Sequence, residues 1–139
     1  MNRSTLETTI RTRIEEALPD AEVVEYPDNL ERFNKIRNKS IIVGYSGKIV
    51  LSNDNGYSTR RRDQLTVIVT YMYKARRNRD GILDDLERVE NMLSGYEIGT
   101  AHLKFEDEQF TGYRESSNRW LYNQKYTILD RFDNTNFIP

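Results

Sequence analysis

The segment that most constrains this chain's fold is QLTVIVTYMYK, residues 64–74. Successive side chains of an extended chain point to opposite faces. Leu65, Val67, Val69, Tyr71 and Tyr73 therefore share one face, and Thr66, Ile68, Thr70 and Met72 share the other. Both faces carry apolar groups, which predicts a central strand.

Other strands follow from the same logic. Residues 40–52, SIIVGYSGKIVLS, read as one bent strand or two short ones, with Gly44 and Gly47 marking a bulge or turn. AEVVEY, residues 21–26, is a short β-branched run between Pro19 and Pro27, which predicts an edge strand. A strand lies within residues 100–110, and residues 111–118 are a turn region. Residues 119–132 form a long closing strand with Trp120, Tyr122, Tyr126 and Ile128 on one face.

Two segments carry helical periodicity instead. In residues 4–18, Leu6, Ile10, Ile14, Ala17 and Leu18 make one apolar stripe, Ser4 and Glu7 read as a capping box, and Pro19 stops the helix. In residues 80–94, Ile82, Leu86, Val89 and Leu93 share a face that Leu83 and Met92 widen, and Gly95 stands at C′. Residues 28–36 suggest one or two further helical turns, residues 53–63 a loop and residues 133–139 a C-terminal tail. The sum is one domain, residues 1–139, of α+β class. It has a single mixed, mostly antiparallel β-sheet with helices packed on one face.

Composition then narrows function. At 139 residues the chain can hold a core without staples. With no cysteine it has no disulfide, cysteine–zinc site or thiol nucleophile. Lys plus Arg number 21 against 22 Asp plus Glu, so no global basic field draws it to nucleic acid. No apolar run approaches the roughly 20 residues that span a bilayer, and the N-terminus lacks the apolar core of a signal peptide.

Catalytic constellations are weak. His102 is the only histidine, and zinc chemistry needs several convergent ligands. Glu106, Asp107 and Glu108 are consecutive, so they point in different directions. There is no Walker loop, dinucleotide fingerprint or nucleophile elbow. The expectation is a chain without enzymatic activity, metal or cofactor.

The arginines carry more weight. Arg60, Arg61 and Arg62 precede the central strand, while Lys74, Arg76, Arg77 and Arg79 follow it. A strand of about ten residues spans roughly 33 Å, so the clusters lie at opposite ends rather than in one patch. That suits contacts with different neighbours, and it suits solvated loop charge equally well.

Taken together, ALPDAEVVEYPDNLER, IIVGYSG, the run from Asp63 to Tyr96 and FEDEQFTGYRESSNRWLYNQKYTILDRF resemble the tail terminator proteins of Mu-like contractile-tailed bacteriophages and related phage-tail-like particles. The most telling segment is residues 65–95, a strand ending in an arginine-rich turn that feeds a helix closing on Leu93, Ser94 and Gly95. The resemblance spans residues 4–131. It implies a non-enzymatic virion protein with a tail-terminator-like sandwich fold, assembled in the host bacterial cytoplasm. It further implies a hexameric ring on the last ring of the tail tube, which stops tube and sheath addition and receives the head–neck connector proteins. The partners implied are other copies, tube, sheath and neck, with no specific nucleic acid and no membrane. On this picture Arg60, Arg61 and Arg62, with the 53–59 loop, touch a neighbouring subunit or the tube. Arg76, Arg77 and Arg79 meet an adjacent copy or sheath, through acids such as Asp107 and Glu108. The alternatives are another neck component (a head–tail connector or stopper), a nucleic-acid-binding module, or a small hydrolase near His102.

Overall fold

The computed structural model describes residues 1–26, 38–53, 60–77 and 81–133. The expected turns at 28–36, the 54–59 part of the loop, Arg79, Asp80 and the 134–139 tail fall outside the described residues. Helix α1 (Arg3–Ala17) leads into β1 (Glu22–Glu25), β2 (Lys39–Asn53) and β3 (Arg60–Tyr73). Helix α2 (Ile82–Leu93) comes next, then a small hairpin of β4 (Glu97–Ile98) and β5 (Ala101–His102), and finally β6 (Lys104–Arg114) and β7 (Arg119–Asp133).

The main sheet has the order β1-β2-β3-β7-β6. β3 is its centre, antiparallel to both β2 and β7, as the two apolar faces of residues 65–73 require. β1 is the edge strand and pairs parallel with β2; β6 forms the other edge, antiparallel to β7. The sheet is thus mixed and mostly antiparallel.

Both helices pack on one face. Leu6, Ile10 and Ile14 of α1 and Ile82, Leu86, Val89 and Leu93 of α2 join Ile41, Val43, Leu65, Val67, Val69, Tyr71, Tyr73, Tyr126 and Ile128 of the sheet in one core. Burying each such side chain contributes about 1.5–3 kcal/mol. Among the described residues the opposite face buries the apolar Ile42, Met72 and Leu121, with Val24 against them, and the polar Ser40, Arg119 and Thr127. The larger apolar layer thus lies on the helix-bearing face of the sheet.

Several local expectations are corrected. The cap of α1 is Asn2, whose side-chain oxygen accepts from the Thr5 amide at 2.9 Å, so Ser4 lies inside the helix. Glu7 does not close a capping box. Its carboxylate accepts from the Tyr45 amide at 2.7 Å, tying α1 to β2 beside the bulge between Tyr45 and Gly47. The three arginines at 60–62 are not a loop but the first residues of β3: Arg61 and Arg62 pair with both β2 and β7, and Arg60 pairs with β7. The apolar alternation stops at Leu65, yet the backbone ladder runs on, because ladder bonds do not depend on side-chain polarity. β6 likewise continues to Arg114, leaving only residues 115–118 for the turn.

Two glycines are required by geometry. Gly95 adopts φ +79° just past α2, the left-handed C′ position that was expected. Gly81 caps the start of α2, and a Cβ there would lie 2.5 Å from the Arg77 carbonyl carbon. Any larger residue would push α2 off the turn that leaves β3.

Candidate interaction surface

The chemistry-bearing side chains sort into the two ends of β3 and a buried polar seam between them. At the Arg60 end, β2, β3 and β7 run on beyond β1 and β6 as a three-stranded arm. Asp63 is buried there. It receives the Arg61 guanidinium at 3.0 Å, and the Lys48 ammonium lies 3.8 Å away. Asp63 pairs directly across from Asp130 of β7, whose carboxylate holds the N-terminal amine at 2.9 Å. Like charges opposite one another destabilise a ladder, and here three cations offset two carboxylates. Arg61 is therefore engaged within its own arm, whereas Arg62 is exposed and borders a cleft of about 1040 Å³. The side chain of Arg60 lies outside the described residues.

This arm also carries an apolar surface that lies outside the charge-based expectation. Ile49 (60% exposed), Val50, Leu51 and Leu129 (42%) all present large apolar side chains to solvent. The signal was there: in IVL after the bulge three apolar residues stand in a row where a half-buried strand would alternate.

At the other end, Arg76 donates from Nε to the Tyr122 hydroxyl at 3.1 Å, and its guanidinium lies 5.8 Å from the Trp120 ring centre. Phe110, Tyr113, Trp120 and Tyr122 form a connected ring cluster, with centroids 4.7 Å apart for Tyr113–Trp120 and 5.2 Å for Phe110–Tyr122. Phe110 and Tyr113 stand largely exposed, and Arg77 is exposed beside Arg76. Aromatic rings with arginine are the residue types most enriched at binding hot spots.

Asp107 and Glu108 sit midway along β6, opposite Lys125 and Gln124. Asp107 accepts from the Glu108 amide at 2.8 Å and from the Gln109 side chain at 3.0 Å. Glu108 accepts from Gln124 Nε2 at 2.8 Å. Glu106 accepts from the Thr127 hydroxyl at 2.7 Å, and that hydrogen bond holds its carboxyl below the ordinary value.

The seam lies between α2 and the sheet. Tyr71 and Tyr126 both donate to Gln124 Oε1, and Gln124 Nε2 donates to the Leu86 carbonyl at 2.9 Å. Tyr73 donates to Asp85 at 2.7 Å, and Lys39 bridges Asp85 at 3.2 Å and Asp20 at 2.9 Å. Burial pushes the Tyr71, Tyr73 and Tyr126 hydroxyls well above their ordinary range. Burial acts against the Lys39 charge, but its hydrogen bond to Asp20 and the charge of Asp85 outweigh it and raise Lys39. Every group in the seam serves another, which makes it a structural lock. Asp85 was legible as a carboxylate three residues after Ile82 on the apolar face of α2.

His102 is exposed on the small hairpin, 3.9 Å from the Glu97 carboxylate. Among the described residues no three His, Cys, Asp or Glu side chains are placed to hold a metal ion, and no helix is long and apolar enough to cross a membrane.

The family model of Gp37 protein matches residues 10–130, from the middle of α1 almost to the end of β7. The chain belongs to the Gp37 protein family. No curated protein sequence matches it. Among solved structures it is similar to a chain of the virion of a native gene transfer agent particle, with TM-score 0.52 and 12% identity over 93% of this chain and 95% of that one. It is also similar to the sheath/tube terminator of an extracellular contractile injection system, PVC, in the extended state. That TM-score is 0.57 at 12% identity over 96% of this chain; the chain spans 58% of that protein's length. At such identities the likeness is one of fold. It agrees with the α+β architecture and with the resemblance drawn from the residues.

Proposed function

We propose that this Gp37-family chain is a tail terminator, a structural protein of a phage or phage-like particle. In this reading six copies close a ring on the head-proximal end of the tail tube, end tube and sheath polymerisation and receive the head–neck proteins. The observation that carries the reading is the two-ended sheet. An apolar, arginine-bearing arm stands at one end of β3 and an exposed aromatic–arginine cluster at the other. A cap has to grip the growing structure with one surface and offer a different one to its next partner, and a rigid strand holds these two apart. The shared fold with a protein described as a sheath/tube terminator supports it.

Within the ring, Arg60, Arg61 and Arg62 with the arm face a neighbouring copy or the tube. Arg76, Arg77 and Arg79 with the aromatic cluster face sheath or an adjacent copy. Asp107 and Glu108 serve as acidic counterparts on β6. The test is tail length by electron microscopy in particles assembled without this protein. Overlong, ragged, headless tails are the expected result. Tails of normal, uniform length that lack heads would make the chain a neck connector instead.

A further inference from the structure

Among the described residues the sheet has two edges without a ladder partner at the same end. Along β2, β1 covers residues 40–43, and the Tyr26 and Tyr45 amides are bonded locally. Beyond them, among the described residues, β2 is laddered only to β3. Along β7, β6 covers residues 119–127, and residues 128–133 are laddered only to β3. The second notch has a definite cause. Leu103 is bonded to Gly95 and Tyr96 behind α2, which pulls the chain off the sheet before β6 can extend. The β4–β5 hairpin stands beside the notch as a separate two-stranded sheet. Between them lies the cleft of about 1040 Å³, whose lining includes Ile98, Ala101, Ile128, Leu129 and Arg131.

An open strand edge is a row of unmet amide donors and carbonyl acceptors that templates pairing with another strand. These two edges match. The β2 edge carries the exposed Ile49, Val50 and Leu51, and the β7 edge opens into a partly apolar cleft. They lie on opposite sides of one sheet, so a copy can offer β2 to one neighbour and β7 to the other. That is a head-to-tail contact, which closes into a ring when the rotation permits. β2 and β7 are each antiparallel to β3 and hence run parallel to one another. Rotation about an axis near the strand direction preserves that sense.

We propose that copies of this chain join by strand addition. The residue 46–53 edge of β2 in one copy seats in the cleft of the next and pairs in parallel with residues 128–133 of its β7. The occupant is thus a second copy, and the small sheets become one continuous sheet around the ring. This rests on the ring-forming reading above and specifies its joint.

The chain has no cysteine, so engineered thiols report cleanly. Within one copy Ile49 and Leu129 both lie in register with Gln64, two strand spacings apart at about 10 Å. A disulfide needs Cα atoms within about 7 Å, so a bond between the two edges joins different copies. Leu129→Cys or Arg131→Cys is combined in turn with Ile49→Cys, Val50→Cys or Leu51→Cys, all at exposed positions. Each double variant is oxidised in assembled particles. The expected result is a ladder of linked species reaching the closed ring for at least one pair, with nothing beyond dimer from any single variant. No ladder from any of the six pairs in tails that end at normal length overturns the joint and leaves the terminator reading standing. Linked rings on particles whose tail length is the same with and without this protein confirm the joint and overturn the terminator reading.

Discussion

The two ends of β3 carry similar charge and use it differently. At the arm, Arg61 is engaged with buried Asp63, and the surface left for others is apolar: Ile49, Val50, Leu51 and Leu129. At the far end Arg76 lies over Trp120 and bonds Tyr122, so the arginine itself completes a sticky face of exposed rings. Arginine clusters that look alike in one dimension thus become a strut at one end and part of a contact surface at the other.

Substitution can separate the two ends. The largest effect belongs to the strut. Asp63→Ala leaves Arg61 and Lys48 facing a lost buried partner and is expected to cost about 3 kcal/mol, read as a lower thermal midpoint. Arg62→Glu, one residue away but exposed, should change stability by less than about 0.5 kcal/mol while lengthening tails. Equal destabilisation by the two would remove the distinction. Reversing all three arginines together mixes the two effects and is the poorer test.

Apart from the substitutions, an alkaline effect belongs to neither end. Tyr71, Tyr73 and Tyr126 are buried, and their folded pKa values are raised above the ordinary value. Groups of this sign contribute stability that is full below about pH 10 and falls as pH rises above it. Each costs about 1.4 kcal/mol per pH unit there, checked by unfolding at pH 9, 10 and 11. Tyr71→Phe should make that fall shallower by one tyrosine's share. Arg76→Ala is expected to cost less than the Asp63 change, about 1 kcal/mol for the lost stacking and hydrogen bond, measured by denaturant midpoint. Tube length should be unchanged and sheath attachment weakened.

Much of this molecule was legible in the residues, and the failures share a cause. The centre of β3, both helices, the buried faces of α1 and α2 and the C′ role of Gly95 all follow from periodicity or backbone sterics. Those signals are local. The strand status of Arg60–Arg62 was not legible, because those residues are paired by a backbone ladder that β2 and β7 supply from a distance. The same holds for Glu7, whose partner Tyr45 is brought in by the fold rather than by helix spacing. Of the candidate contact residues, the sequence singled out the arginines by charge. It did not single out Phe110, Tyr113 and Trp120 as one cluster, since they meet only across the β6–β7 register.

The most direct test of the two-ended account is tail-tube length in particles carrying one damaged end at a time. Leu51→Asp with Leu129→Asp strikes the arm; Phe110→Asp with Tyr113→Asp strikes the aromatic end. The account predicts overlong, ragged tubes from the first pair, and tubes of normal length with impaired sheath attachment from the second. Normal tube length in folded arm variants, or overlong tubes from the aromatic pair alone, would contradict it.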